Sequence, residues 1–350
     1  MKFGKLLLFG ISSVLLLNSC SNDDDHIAVT EPLGAYVNGF FVLNKGGEDS
    51  TSTGTVTYIS NNLQEVDQKV FATVNVEDSI GKNAQSLFFD DNNAYIISTD
   101  TNMITVMDRY TFRKVGRIDT GLSAPMYGVV ENGKAYVTNL ADPETNEDDY
   151  IAVINTQRLQ IEKKIYVDDY AEYITADDGL LYIKNVVSGS GSKISIFDPS
   201  VDSIVNRFTA KRGYNSFEIF RNTIYVMSAG GLQKIDKATG AVRSETVFSA
   251  IHAGASKIDI EDETIYFTAG NSVYTLPLVT TEGPGEPILS YDSDSGERAM
   301  YAFEVENDLI FIADGGDLIS DGFIEVYTTG GEFLQQIQVG VGPNGFYFND

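Results

Sequence analysis

Seven times along the chain an aromatic residue opens a short β-like run that ends in a small or polar residue. The runs are Phe41-Val-Leu-Asn, Tyr95-Ile-Ile-Ser, Tyr136-Val-Thr-Asn, Tyr182-Ile-Lys-Asn, Tyr225-Val-Met-Ser, Tyr266-Phe-Thr-Ala and Phe311-Ile-Ala-Asp. Their starts lie 54, 41, 46, 43, 41 and 45 residues apart. Periods of roughly 40–50 residues with strand-like content are the signature of propeller blades.

A polar turn precedes each later aromatic, as in Asp90-Asp-Asn-Asn93, Glu131-Asn-Gly-Lys134 and Glu306-Asn-Asp308. Such clusters favour hairpins, because Asn, Asp and Gly tolerate positive φ and bond their own backbone. About ten residues after the aromatic a second run follows, such as Ile104-Thr-Val-Met107 or Ile194-Ser-Ile-Phe197. A fourth strand comes next, for example Lys114–Ile118 or Ile204–Phe208. Each unit therefore reads as a four-stranded antiparallel meander. One meander cannot bury both faces, so neighbours must stack on each side.

The expected fold is all-β: a seven-bladed β-propeller over residues 33–350. Two segments compete to close the ring. Pro343–Phe348 resembles a first strand with no second strand after it, and would complete the blade that Phe41 begins; Gly34–Val37 is the rival. Closure protects sheet edges that an open stack would leave unpaired.

Residues 1–20 read as a lipoprotein signal peptide. Lys2 and Lys5 precede the apolar stretch Leu6–Leu17, and Leu-Asn-Ser-Cys20 has the form of a lipobox with Cys20 as the lipidated residue. Cys20 is the one cysteine in 350 residues, so no disulfide can form within the chain. Residues 21–32 form an acidic tether opening with Ser21-Asn-Asp-Asp-Asp25.

The chain carries 24 basic and 50 acidic residues, a net charge of -26. Such a field repels nucleic acid, which needs clustered Lys and Arg. No apolar stretch after the signal approaches the roughly 20 residues of a spanning helix.

No catalytic constellation is expected. His26 sits in the tether, and His252 lacks a nucleophile elbow or zincin pattern around it. Carboxylates are abundant, so a hydrolase or lyase built on a carboxylate pair stays open, but no acidic position repeats across blades in a way that singles out a pair. The run Asp142–Asp149 offers hard oxygen ligands for calcium but lacks EF-hand spacing, so it reads as a solvated acidic loop, and the same holds for Asp314–Asp321. No metal and no required cofactor are predicted. With no tryptophan, the WD signature and the docking motif of quinone-dependent dehydrogenase propellers are both missing.

Antiparallel order places the loop entering strand one and the loop joining strands two and three at the same end. That set reads as long and varied: Lys45–Gly54, Leu140–Tyr150, Val186–Ser192 and Gly315–Gly322. The opposite set reads as short and uniform. Variable loops on a rigid scaffold are where binding resides. The segments entering the inner strands carry Asn83, Gln85, Met126, Tyr127, Tyr170, Glu172, Tyr173, Tyr214, Asn215, Lys257, Arg298, Tyr301 and Asn344. Tyrosines with amides and a few cations suit a large, partly apolar ligand rich in hydrogen-bonding groups.

The lipobox with its acidic follow-on, the units of type Tyr-Val-x-Asn … Ile-x-Val-Ile-Asn and the opening Gly39-Phe-Phe-Val-Leu-Asn44 together resemble a family. It is the YncE-like propeller lipoproteins of Bacteroidetes, which include the BtuG surface cobalamin-binding proteins. The resemblance covers about residues 33–348. It implies attachment to the outer membrane facing the exterior, capture of a corrinoid (vitamin B12) and delivery to a TonB-dependent outer-membrane transporter. The alternative is a non-catalytic surface protein that binds another protein or a glycan through the same loops.

Overall fold

The computed structural model describes residues 34–47, 52–142, 144–279 and 282–349. The segments expected to be a signal peptide and a tether, with Cys20 between them, lie outside the described residues. Among the described residues, seven four-stranded antiparallel sheets form. In every blade the aromatic of the repeat opens or sits within the second strand: Gly39–Asn44, Asn93–Ser98, Lys134–Asn139, Leu180–Val187, Thr223–Ser228, Thr264–Ala269 and Leu309–Asp314. The blades are numbered 1 to 7 in that order.

Blade 1 takes its inner strand from the C-terminus: Pro343–Phe348 pairs with Gly39–Asn44, Tyr347 opposite Phe41. The rival segment forms no strand there. Its Tyr36 N–H bonds the Tyr110 carbonyl, and its ring packs on Phe41, Tyr58 and Phe112.

Seven apolar clusters fill the seven gaps between blades. Between blades 3 and 4, for instance, Tyr136, Ile151 and Val153 meet Ile174, Leu181 and Phe197. The repeat aromatics lie in these gaps, Phe41 and Tyr95 at 0% exposure. Burying such a ring contributes about 1.5–3 kcal/mol, so the aromatic spacing in the sequence is the spacing of interblade wedges.

In five blades the polar residue that ends the run reaches the segment that leads into the inner strand of the same blade; Ser228 instead donates to the Gly231 carbonyl of its own hairpin, and Ala269 has no polar side chain. Asn44 Oδ1 accepts the Gly340 N–H at 3.1 Å, and Ser98 Oγ donates to the Ile80 carbonyl at 2.5 Å. Asn139 Oδ1 accepts the Ser123 N–H at 3.0 Å, and Asn185 Nδ2 donates to the Tyr170 carbonyl at 2.5 Å. Asp314 Oδ2 accepts the Tyr291 and Ser293 hydroxyls. In those five blades the repeat motif thus joins an interblade wedge to a latch on the incoming chain.

The turns between first and second strands bear out the hairpin chemistry. Asp178 and Gly179, and Asn307 and Asp308, adopt positive φ at both central positions, as type I′ turns require. Two loop lengths differ from expectation. Strands extend to Val187 and from Ser190, so Val186–Ser192 is a tight hairpin turning at Ser188 and Gly189 rather than a long loop. On the opposite end, the outer strands of blade 6 lie well apart in sequence, one ending at Pro277 and the next beginning at Leu289.

Candidate functional site

The inner strands surround an axial channel containing a cavity of about 490 Å³ and an adjoining one of about 260 Å³, which share Tyr127, Tyr173, Ile258 and Glu304 as lining. Tyr127 and Tyr173 meet edge to face at 5.1 Å between ring centroids. Gln85 Nε2 donates to the Tyr127 hydroxyl at 3.0 Å. Lys45 Nζ donates to the Tyr301 hydroxyl at 3.1 Å. Glu172 and Lys184 form an ion pair at 2.6 Å beside the smaller cavity. Burial, then the Glu172 charge, pushes the Tyr127 hydroxyl up to about 12, so it stays a neutral donor.

The channel has two unlike halves. Strand register places opposite the blade aromatic Tyr347 in blade 1, Val129 in blade 3 and Thr175 in blade 4, but Glu218, Asp259 and Glu304 in blades 5, 6 and 7. The last three each lie seven residues before the blade aromatic, in Phe-Glu-Ile, Ile-Asp-Ile and Phe-Glu-Val. An acidic position therefore does repeat across three consecutive blades, contrary to the sequence expectation. Enclosure by the ring, then Asp259, raises the Glu218 carboxyl to about 8. Glu304 is raised well above the usual carboxylate range by enclosure, then by Asp259 and Glu218. Asp259 is raised by enclosure, although its Oδ1 accepts the Ile260 N–H at 2.7 Å and its Oδ2 the Val305 N–H. Lys257 stands at a β-bulge with φ 43 and lines the larger cavity; burial, then Lys184, lowers its ammonium.

Of the residues expected at the site, Tyr127, Tyr173, Lys257, Tyr301 and Asn344 line the larger cavity and Asn215 the smaller. Gln85 joins them through Tyr127. Several amides are committed to the frame: Asn215 Nδ2 donates to the Ala255 carbonyl, and Asn344 Nδ2 to the carbonyls of Ala84 and Gln85. The Asn344 Oδ1 is enclosed and has no hydrogen-bond partner. Asn83, Tyr170 and Arg298 are not among the cavity-lining residues. Asn83 bonds Asp100, Tyr170 carries the Asn185 latch, and Arg298 is half-buried beside Tyr301.

Tyr214 is a correction. It is 1% exposed between blades 4 and 5, with its hydroxyl on the Lys193 carbonyl, and presents no face to a ligand. His252 is likewise part of the frame, between Ser249 Oγ and the Gly285 carbonyl and edge-on to Tyr274.

Sequence reasoning missed Lys45, Lys184, Glu218, Asp259, Glu304 and Tyr347. The shared seven-residue offset would have found the three carboxylates. Among the described residues, no three His, Cys, Asp or Glu side chains are gathered as a metal cluster.

Solved structures share the fold. A quinonprotein alcohol dehydrogenase-like protein from Bacteroides thetaiotaomicron is 12% identical with a TM-score of 0.67, over 90% of this chain and 79% of that one. BamB from Moraxella catarrhalis is 14% identical with a TM-score of 0.55, over 88% of this chain and 85% of its own. The computationally designed Ika8 protein is 12% identical with a TM-score of 0.58, over 88% of this chain and 91% of that one. No curated protein sequence is similar to this chain. Residues 38–308 match the family model described as Domain of unknown function (DUF5074), and the chain belongs to that family.

Proposed function

We propose that this protein is an outer-membrane surface lipoprotein that captures a corrinoid at the loop-face mouth of its channel and passes it to a TonB-dependent transporter. The observation that carries the reading is the mouth itself. Tyr127, Tyr173 and Tyr301 stand around a cavity of about 490 Å³ with Lys257 and Asn344 also in its lining. A corrin ring is wide, apolar and edged with amides. Its face can lie on tyrosine rings across the rim, while an amide arm descends to meet Lys257 and Asn344. Capture and release need no covalent step, so no catalytic role is assigned. Lipidation at Cys20 holds the propeller at the membrane, and the acidic residues behind it direct it outward.

Calorimetric titration of the chain from Ile27 onward with cyanocobalamin tests this. One-to-one binding is expected, weakened at least about tenfold, or roughly 1.4 kcal/mol, by Tyr127→Ala and by Lys257→Ala. Arg298→Ala should have a smaller effect, since Arg298 stands beside the rim. Absence of heat with a folded protein overturns the corrinoid assignment.

A second reading, capture of a protein through the same face, draws on Ile251 and Ile319, exposed at 75% and 82% on loops of that end. Ile251→Asp with Ile319→Asp would abolish such binding and leave cyanocobalamin heat unchanged.

A further inference from the structure

The loop joining the second and third strands of blade 3 folds against the segment that enters blade 4. Its Asp149 is 0% exposed. Asp149 Oδ2 accepts the Ala171 N–H at 2.8 Å, while Oδ1 is enclosed and has no hydrogen-bond partner. The neighbouring Asp148 is half-buried, and its Oδ1 is also enclosed without a partner. Asp169, 8% exposed, approaches from the blade 4 segment. Its Oδ1 accepts the Tyr170 N–H at 2.9 Å and the Asn146 amide at 3.3 Å; its Oδ2 lies 3.3 Å from Lys193 Nζ.

Burial first, and then the charges of Asp148 and Asp169, pushes the Asp149 carboxyl up to about 7. With Asp149 ionised, three carboxylates face one ammonium, and that ammonium is on a side chain 48% exposed. Enclosed carboxylate oxygens without donors are strongly unfavourable, and native structures leave few such atoms. All the candidate donors are oxygens, with no His or Cys among them. That donor set selects a hard cation, and flexible carboxylates from an irregular loop fit calcium better than the strict octahedron of magnesium.

We propose that a calcium ion binds between Asp148, Asp149 and Asp169. The two free oxygens on adjacent residues, one on a fully buried side chain, distinguish this place from an ordinary acidic surface loop. The three carboxylates are not yet gathered at ligand distance; Asp148 and Asp169 close on the ion by side-chain rotation. The ion ties the blade 3 loop to residues 169–171, which lead directly into Glu172 and Tyr173 of the channel. It does not depend on what the channel binds.

The test uses chelator-treated protein without any corrinoid, followed by calorimetry and thermal melting with calcium chloride or magnesium chloride. One calcium per chain is expected, with a dissociation constant of about 10⁻⁴–10⁻³ M as in extracellular modules. Millimolar calcium should raise the melting temperature by several degrees. Asp149→Asn keeps an acceptor for the Ala171 N–H and so should fold, yet lose the calcium shift; Asp148→Asn should weaken binding about tenfold. No calcium shift in the native chain up to about 10 mM overturns the site, as does an equal shift in Asp149→Asn. A magnesium shift as large as that of calcium overturns the choice of ion.

Discussion

Glu304 and Asp149 are both carboxylates set deep in the propeller, and they meet the same physical problem in different ways. Glu304 belongs to a trio along the channel, where the group touches the open axis and like charges sit on neighbouring blades. A proton resolves its charge. Asp149 is itself fully buried, with one oxygen on a backbone N–H and the other unpartnered. Burial pushes this carboxyl up as well, to about 7, and the proposed calcium ion would take the oxygen that has no partner. The lesson is that the remaining coordination of a carboxylate, more than its depth, decides how its charge is met.

The largest test of this contrast is removal of the carboxyl. Asp149→Ala strands the buried Ala171 N–H and leaves a void, and should lower stability by about 2–3 kcal/mol. Glu304→Gln should instead raise stability at pH 8, because the native carboxyl must take up a proton on folding that the amide does not need. Denaturant midpoints of both variants decide it; a loss in both would break the comparison.

Stability against pH comes next. Glu218 is raised from an ordinary 4.5 to about 8 in the folded chain. Between those values the folded state holds a proton that the unfolded state has released, so stability falls as pH rises through that window and is level beyond it. Urea midpoints from pH 4.5 to 8.5 should show a shallower fall in Glu218→Gln than in the native chain. Parallel curves would remove Glu218 from the account.

The smallest effect concerns Lys193. Its half-exposed ammonium competes with calcium for Asp169, and exposed pairs of this kind contribute about 0.2–1 kcal/mol. Lys193→Ala should therefore tighten calcium binding by about two- to threefold in calorimetry. Weaker binding would mean that Lys193 positions Asp169 rather than competing with the ion.

The sequence by itself determined the blade count, the order of strands and the placing of wedges, because each of these is a local pattern repeated seven times. An aromatic such as Tyr136 needs the same apolar gap in every blade, and turns such as Asn307-Asp308 need the same positive φ. The sequence also marked the inner-strand tyrosines of the channel, since the topology puts those segments around the axis. It left ring closure open between two segments, and register decided for Pro343–Phe348 through its pairing with Gly39–Asn44.

Tertiary structure alone decided which polar groups are satisfied. Tyr214 looks like a ligand contact in one dimension, yet its hydroxyl belongs to the Lys193 carbonyl. The Asp142–Asp149 run looks like a solvated loop, yet its last residue is closed off from water by a segment twenty residues further on. Burial and hydrogen-bond partnership are properties of three-dimensional neighbours, and those come from other blades. The channel trio stands between the two cases: its seven-residue offset is written in the chain, but only the ring brings the three carboxylates to one wall.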